Sequence, residues 1–282
     1  VSVAYTAEFV EREYNLRAAF PDHPAWFARY AAESETARAM LSPQLDLRYG
    51  PGPKETLDLF APTSLPRATF VFLHGGYWRA LDKSDFSFVA PSFVARGIAV
   101  AVVNYDLCPT VSIRDIVGQC RRALCWLVHA GAAHGANRER IVIAGHSAGG
   151  HLAAMLFATD WGAEGLARNP LAGGVSLSGV HDLAPLVLFS HNVDLKLDDA
   201  EAAQLSPVNL VPRTNAPLLI AAGADETAEF LRQSRLLWDA WPACRPRGAA
   251  SPLFVGARDH FGVVADYGSP DSELTRRTLA LF

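Results

Sequence analysis

The stretch Ile141-Val142-Ile143-Ala144-Gly145-His146-Ser147-Ala148-Gly149-Gly150-His151-Leu152-Ala153-Ala154-Met155-Leu156 decides the fold. Its first four residues are wholly apolar, as in a strand buried on both faces. Its last six suit a helix. Between them lies the pattern G-x-S-x-G, with Ser147 at its centre. A strand that passes directly into a helix here must turn so tightly that the serine backbone is strained. The glycines two residues to either side remove the Cβ atoms that would collide. The Ser147 hydroxyl then stands above the sheet edge, at a helix N-terminus whose dipole favours developing negative charge. The bare pattern recurs by chance, and the flanking strand and helix give it chemical meaning. The competing reading is a tight turn with an ordinary capping serine.

Outward from this turn, further buried-strand runs occur at Thr69–Leu73, Ile98–Val103, Gly174–Leu177, Pro217–Ala222 and Leu253–Val255. Helical patterns fall at about 84–96, 112–134, 148–159 and 226–241. Strand and helix in alternation imply a parallel sheet with helices on both faces. Before them, Leu45–Tyr49 and Thr56–Phe60 alternate around the turn Pro51-Gly52-Pro53, which predicts an antiparallel opening to the sheet. Residues 5–40 read as helical, interrupted at Pro21 and Pro24. The stretch 181–215, with Pro185, Pro207 and Pro212, is long and irregular, a length typical of a lid or binding loop. A plain surface connection is the alternative. The expectation is an α/β-hydrolase fold in one domain over residues 1–282. Its sheet is mostly parallel. The helical segment 1–44 is a candidate lid, and together with the 181–215 excursion it would form a small cap.

Composition narrows the function classes. Half of the 282 residues are hydrophobic and 19% are charged, enough for a large core and against disorder. The formal net charge is -4 and the Lys and Arg residues are scattered, so no nucleic-acid partner is expected. No run of about 18 apolar residues predicts a membrane span. Val1–Val10 contains Glu8 and no apolar run, so no signal peptide is expected there. Cys108, Cys120, Cys125 and Cys244 match neither a zinc site nor a disulfide framework. They read as reduced thiols, which points to the cytoplasm. No metal-ligand cluster such as His-Glu-x-x-His occurs, and neither metal nor cofactor is expected. The partner implied is a small-molecule substrate.

Acyl transfer from a serine needs an oxyanion hole, a base and an acid. The stretch Leu73-His74-Gly75-Gly76-Tyr77-Trp78 follows the first buried strand. The N–H groups of Gly76 and Tyr77, with that of Ala148, are the candidate oxyanion donors, and His74 is expected to brace the loop. In this fold the chain order is Ser, then Asp or Glu, then His. Of nine histidines, only His151, His181, His191 and His260 follow Ser147. The acid belongs after a late strand, and Gly223-Ala224-Asp225-Glu226 follows Pro217–Ala222. Asp225 is the first choice and Glu226 the second. Asp182, after the preceding strand, competes, with a helix-cap or loop-anchor role as its structural alternative. Only His260 remains beyond Asp225, so it is the candidate base. Asp259 is too close to His260 in sequence to orient its ring and is expected to be exposed. His151, one turn into the elbow helix, is expected to be structural or pocket-lining.

The residues His74-Gly75-Gly76-Tyr77-Trp78 resemble the His-Gly-Gly-x-Trp signature of the kynurenine formamidases (arylformamidases). The resemblance extends to Asn104-Tyr105-Asp106-Leu107-Cys108-Pro109, to Gly145–Ala154 and to Asp259-His260-Phe261, and so spans about residues 45–270. It implies Ser147 as nucleophile, Asp225 as acid, His260 as base, and Gly76 and Tyr77 as oxyanion donors. The implied reaction is hydrolysis of N-formyl-L-kynurenine to L-kynurenine and formate, in tryptophan catabolism. Such a leaving group wants aromatic walls, for which Tyr77 and Trp78 are candidates. Trp78 can equally be a core anchor beneath the loop. Arg79, His181 and Asn192 are candidates for the amino-acid end of the substrate. A carboxylesterase for short-chain or aryl esters would use the same machinery. A hydrolase-fold binding protein would need a broken triad.

Overall fold

The computed structural model describes residues 5–282. Residues 1–4, part of the Val1–Val10 stretch and of the segment 1–44, lie outside the described residues. Eight strands form one sheet: β1 (Gln44–Arg48), β2 (Thr56–Phe60), β3 (Ala68–Leu73), β4 (Ile98–Val103), β5 (Ile141–His146), β6 (Leu171–Leu177), β7 (Leu218–Gly223) and β8 (Leu253–Val255). Their order is β1-β2-β4-β3-β5-β6-β7-β8. β2 pairs antiparallel with both β1 and β4, and every other pairing is parallel. The antiparallel opening and the parallel sheet are therefore as expected from the sequence.

Along each central strand successive side chains face opposite layers. Val71 and Leu73 join one apolar cluster, with Ile141, Ile143, Ala101 and Val103. Phe70 and Phe72 join another, with Val142, Ala144, Val100 and Val102. Burial on both faces explains why these strands read as continuous apolar runs rather than alternating ones. The register sets Leu73 opposite Gly145 and His146 opposite Leu177, so β3, β5 and β6 end at one edge. Ligands of open α/β sheets bind outside this carboxyl edge.

The helices are α1 (Ala7–Tyr14), α2 (Leu16–Ala19), α3 (His23–Leu41), α4 (Pro91–Val94), α5 (Ile113–His129), α6 (Ala148–Phe157), α7 (Asn192–Leu195), α8 (Asp199–Gln204), α9 (Ala228–Ala240), α10 (Gly262–Ala265) and α11 (Glu273–Leu279). Two expectations shift. The single helix at 84–96 is a 3₁₀ segment, Lys83–Val89, followed by the short α4. Pro91 lacks an N–H and starts a new helix instead of continuing the old one. Pro24 likewise opens α3 rather than interrupting it. No described helix is long and apolar enough to cross a membrane.

The excursion 181–215 forms short helical turns whose Leu183, Leu186, Leu195, Ala202 and Leu205 are buried in the core. The N-terminal helices lie across the sheet edge and are tied down by hydroxyls. Tyr14 donates to Glu229 Oε2 at 2.8 Å and accepts from Gln233 Nε2 at 2.8 Å, both on α9. Thr227 donates to the Glu13 carbonyl at 2.9 Å, and Tyr30 donates to the Phe261 carbonyl.

Candidate active site

Ser147 follows β5 directly and precedes α6, with φ 57° and ψ -117°. That backbone is strained for a residue with a side chain. A Cβ on Gly145 would sit 2.0 Å from the Gly149 carbonyl oxygen, and one on Gly149 would sit 2.0 Å from that of Leu73. The elbow exists because both positions are glycine. The Ser147 N–H is held by the Leu177 carbonyl at 2.9 Å, which fixes the turn against β6.

The loop after β3 is strained in the same way. Gly76, Tyr77 and Trp78 all have positive φ, at 106°, 50° and 55°. The Gly76 carbonyl accepts from the N–H groups of Arg79 and Ala80, both at 3.0 Å. Among the described residues, the N–H groups of Gly76, Tyr77 and Ala148 have no main-chain acceptor. The same three groups are the candidate oxyanion donors of the sequence reading. His74 braces the loop, its ring nitrogens 2.8 Å from the Gly75 carbonyl and 3.1 Å from Asn104 Oδ1. The ring stacks on Tyr105 at 4.3 Å, and burial holds its pKa below the usual histidine value.

His260 lies in the loop after β8, buried, with Nδ1 2.8 Å from Glu226 Oε2. An ionised carboxylate only accepts, so Nδ1 carries the proton and Nε2 is left as the basic nitrogen. The other Glu226 oxygen accepts from the Gly223 N–H at 2.8 Å and from Ser178 Oγ at 2.5 Å. The expectation for Asp225 is therefore corrected by one residue. After β7 the chain turns back through a Glu226 N–H to Gly223 carbonyl contact at 3.4 Å, while the Asp225 N–H pairs with the Arg258 carbonyl. This turn buries position 226 and exposes position 225. Asp182 is a loop anchor: it accepts from the Ala184 N–H and lies 3.7 Å from Arg232. Asp259 is half-buried rather than exposed, and accepts from the Gly262 N–H at the start of α10.

A cavity of about 600 Å³, mouth included, opens over this edge, but only about 50 Å³ of it admits the centre of a water molecule. At roughly 10–15 Å³ per water centre, that is room for a few waters in the whole cavity. Ser147, His260, Gly76 and Tyr77 line one side. Tyr77 lines the cavity, and its phenol donates to the Tyr14 carbonyl at 2.6 Å. Trp78 is not a wall. It is fully buried behind the loop, edge-on to His151 at 5.0 Å, so its substrate role is corrected to that of a core anchor. His151 is structural, its Nε2 2.7 Å from the Leu205 carbonyl.

Of the candidates for the amino-acid end, only Arg79 reaches the cavity. His181 is wholly buried beside Ser176, and Asn192 is spent on the Val187 and Leu197 carbonyls. Sequence reasoning missed His146, whose Nε2 lies 2.9 Å from the His260 carbonyl and steadies that loop. Burial and the neighbouring His260 push its pKa well down, so it donates as a neutral ring. It also missed Asn15, Leu16, Arg17, Phe27 and Tyr30, which form the opposite wall. No motif marks them, and only the helical reading of 5–40 hinted at a cover.

A mostly parallel sheet carrying this strand–serine–helix turn at its carboxyl edge is that of an α/β-hydrolase, and the chain is an enzyme of this class. A family model described as BD-FAE matches residues 57–169. The kynurenine formamidase of Salmo salar is 31% identical over 88% of this chain and 85% of its own, and that of Drosophila melanogaster is 30% identical over 82% and 78%. A putative thioesterase of known structure from Silicibacter sp. is 34% identical, with a TM-score of 0.81 over 93% of this chain and 96% of its own. Esterase B from Lactobacillus rhamnosis shares the fold at 21% identity, with a TM-score of 0.71 over 95% and 96%. The chain belongs to the kynurenine formamidase family.

Proposed function

We propose that this chain hydrolyses N-formyl-L-kynurenine to L-kynurenine and formate through a formyl-serine intermediate. The observation that carries the reading is His260, held by the buried Glu226 and lining the same narrow cavity as Ser147 in a member of this family. His260 Nε2 takes the Ser147 proton as Oγ bonds to the formyl carbon. The carbonyl oxygen gains charge against the N–H groups of Gly76, Tyr77 and Ala148. The C–N bond then breaks, and His260 returns its proton to the departing aryl amine. Water attacks the formyl-enzyme with His260 again as base, releasing formate and restoring Ser147. Glu226 holds the ring and balances the imidazolium charge.

A carboxylesterase is the second reading, and the 34% likeness to a protein described as a putative thioesterase is consistent with cleavage of an ester-type acyl bond. Turnover of N-formylkynurenine and of 4-nitrophenyl acetate, measured side by side, separates the two. Efficient formamide hydrolysis, abolished in S147A, is expected. An esterase-only profile overturns the proposal. The four free thiols suit a reducing compartment, and with it the cytoplasm. Acidic residues outnumber basic ones, 29 to 25, which argues against a nucleic-acid partner.

A further inference from the structure

The substrate proposed above has two ends, and the triad accounts for only one. The other end carries an α-carboxylate, which needs a cation. Among the described residues lining the cavity there is no Asp or Glu, but there are two arginines, Arg17 and Arg79. Arg79 is already matched, its Nε 2.6 Å from Asp194 Oδ2. Arg17 has no carboxylate within ion-pair distance among the described residues. Its guanidinium instead lies 5.5 Å from the centre of the Phe27 ring, another lining residue, which holds it at the cavity. His191 lies at the same end, with Nδ1 buried and without a hydrogen-bond partner. Burial and the two arginines depress the pKa of this ring, against the opposing pull of Glu11 and Asp194. Two cations thus stand beside this ring with two carboxylates, Glu11 and Asp194, and of the two cations Arg17 is the one with no ion-pair partner among the described residues. Arg17 is exposed, so water screens its charge, but its guanidinium presents a planar fork that matches a carboxylate.

We propose that Arg17, carried on α2 of the N-terminal segment, binds the carboxylate of the leaving group, with Arg79 and His191 completing a subsite for aryl substrates that carry a carboxylate. The proposal rests on the formamidase reading for its natural ligand but not for its test. The subsite selects by charge whichever acyl bond is broken. Arg17 does not touch the reacting atoms, so its effect falls on KM more than on kcat.

The test compares charged and neutral substrates in the full-length enzyme. One pair is N-formylkynurenine and 2′-formamidoacetophenone, which keeps the aryl formamide and lacks the amino-acid end. The other is 3-(3-acetoxyphenyl)propanoate and its carboxamide. The native enzyme is expected to favour the carboxylate-bearing member of each pair in kcat/KM, and R17Q to lower that preference by roughly 3- to 10-fold, mainly through KM. R17K is expected to recover part of it, because charge without the fork is retained. Added salt should weaken the preference of the native enzyme. A preference unchanged in R17Q, or lost in R79Q while kept in R17Q, overturns the proposal. Loss of the preference on the ester pair with no formamide turnover at all would sustain the subsite and sink the formamidase reading. Formamide turnover with an unchanged preference would do the reverse.

Discussion

One wall of the cavity is main chain locked by collisions, and the other is side chains on helices held by a few hydroxyls. On the sheet side, Ser147 is placed by Gly145, Gly149 and the carbonyls of Leu73 and Leu177. His260 is placed by Glu226 in front and His146 behind. On the cap side, Asn15, Leu16, Arg17, Phe27 and Tyr30 face the same space. That wall is fastened through the hydroxyls of Tyr14, Tyr30, Tyr77 and Thr227. The first arrangement cannot shift by an ångström without an overlap, as bond-making chemistry requires. The second can vary residue by residue without disturbing the nucleophile. Reaction and selectivity are thus lodged in different parts of the chain.

The comparison breaks most visibly at the acid. Glu226→Gln should lower kcat by about three to four orders of magnitude while the fold persists, since an amide cannot hold the His260 tautomer or balance its charge. Asp225→Asn, one residue away and exposed, should change kcat by less than about twofold. Equal losses in the two variants, measured by steady-state turnover, would return the acid to Asp225.

A smaller effect separates the walls by pH. His74, His146, His151 and His181 are buried on the sheet side, and burial lowers the pKa of each, that of His151 to about 4 and that of His181 to about 3. Above pH 6.5 these rings are neutral in the folded and unfolded chain alike. Below it the unfolded chain takes up protons that the folded chain refuses. Stability therefore falls as the pH drops from 6.5 to about 4 for His151, and further for His181, by about 1.4 kcal/mol per pH unit for each ring. Urea midpoints at pH 7.0 and 4.5 should differ by the equivalent of about 2 kcal/mol or more. A flat profile would mean the rings are wetter than the structure shows.

The smallest effect lies on the cap. Tyr14→Phe removes one hydroxyl that joins α1 to Glu229 and Gln233, both of which keep other partners. A loss of about 1–2 kcal/mol in stability is expected. With it should come a few-fold rise in KM and little change in kcat. A fall in kcat as large as that of Glu226→Gln would show that the two walls are not independent.

What the sequence revealed divides along the same line. The sheet, the elbow and His260 were legible because each rests on a local rule: apolar runs, glycines at fixed offsets, and chain order. The acid was missed by one position, because a turn's geometry, and not its composition, decides which of two adjacent carboxylates points inward. Trp78 was ambiguous for a related reason. Its motif placed it beside the oxyanion loop, but the positive φ at three successive residues turned its side chain back into the core. The cap wall carries no motif at all. Arg17 reaches the cavity only because α1 to α3 cross the sheet edge, a long-range arrangement that no spacing records.

The phenol of Tyr77 bonded to the Tyr14 carbonyl links the oxyanion loop to the cap. The loop after β3 and the end of α1 are therefore not independent: removing the Tyr77 hydroxyl would release both ends of one tie, so a single substitution would loosen the wall that recognises a ligand and the loop beside Ser147 together.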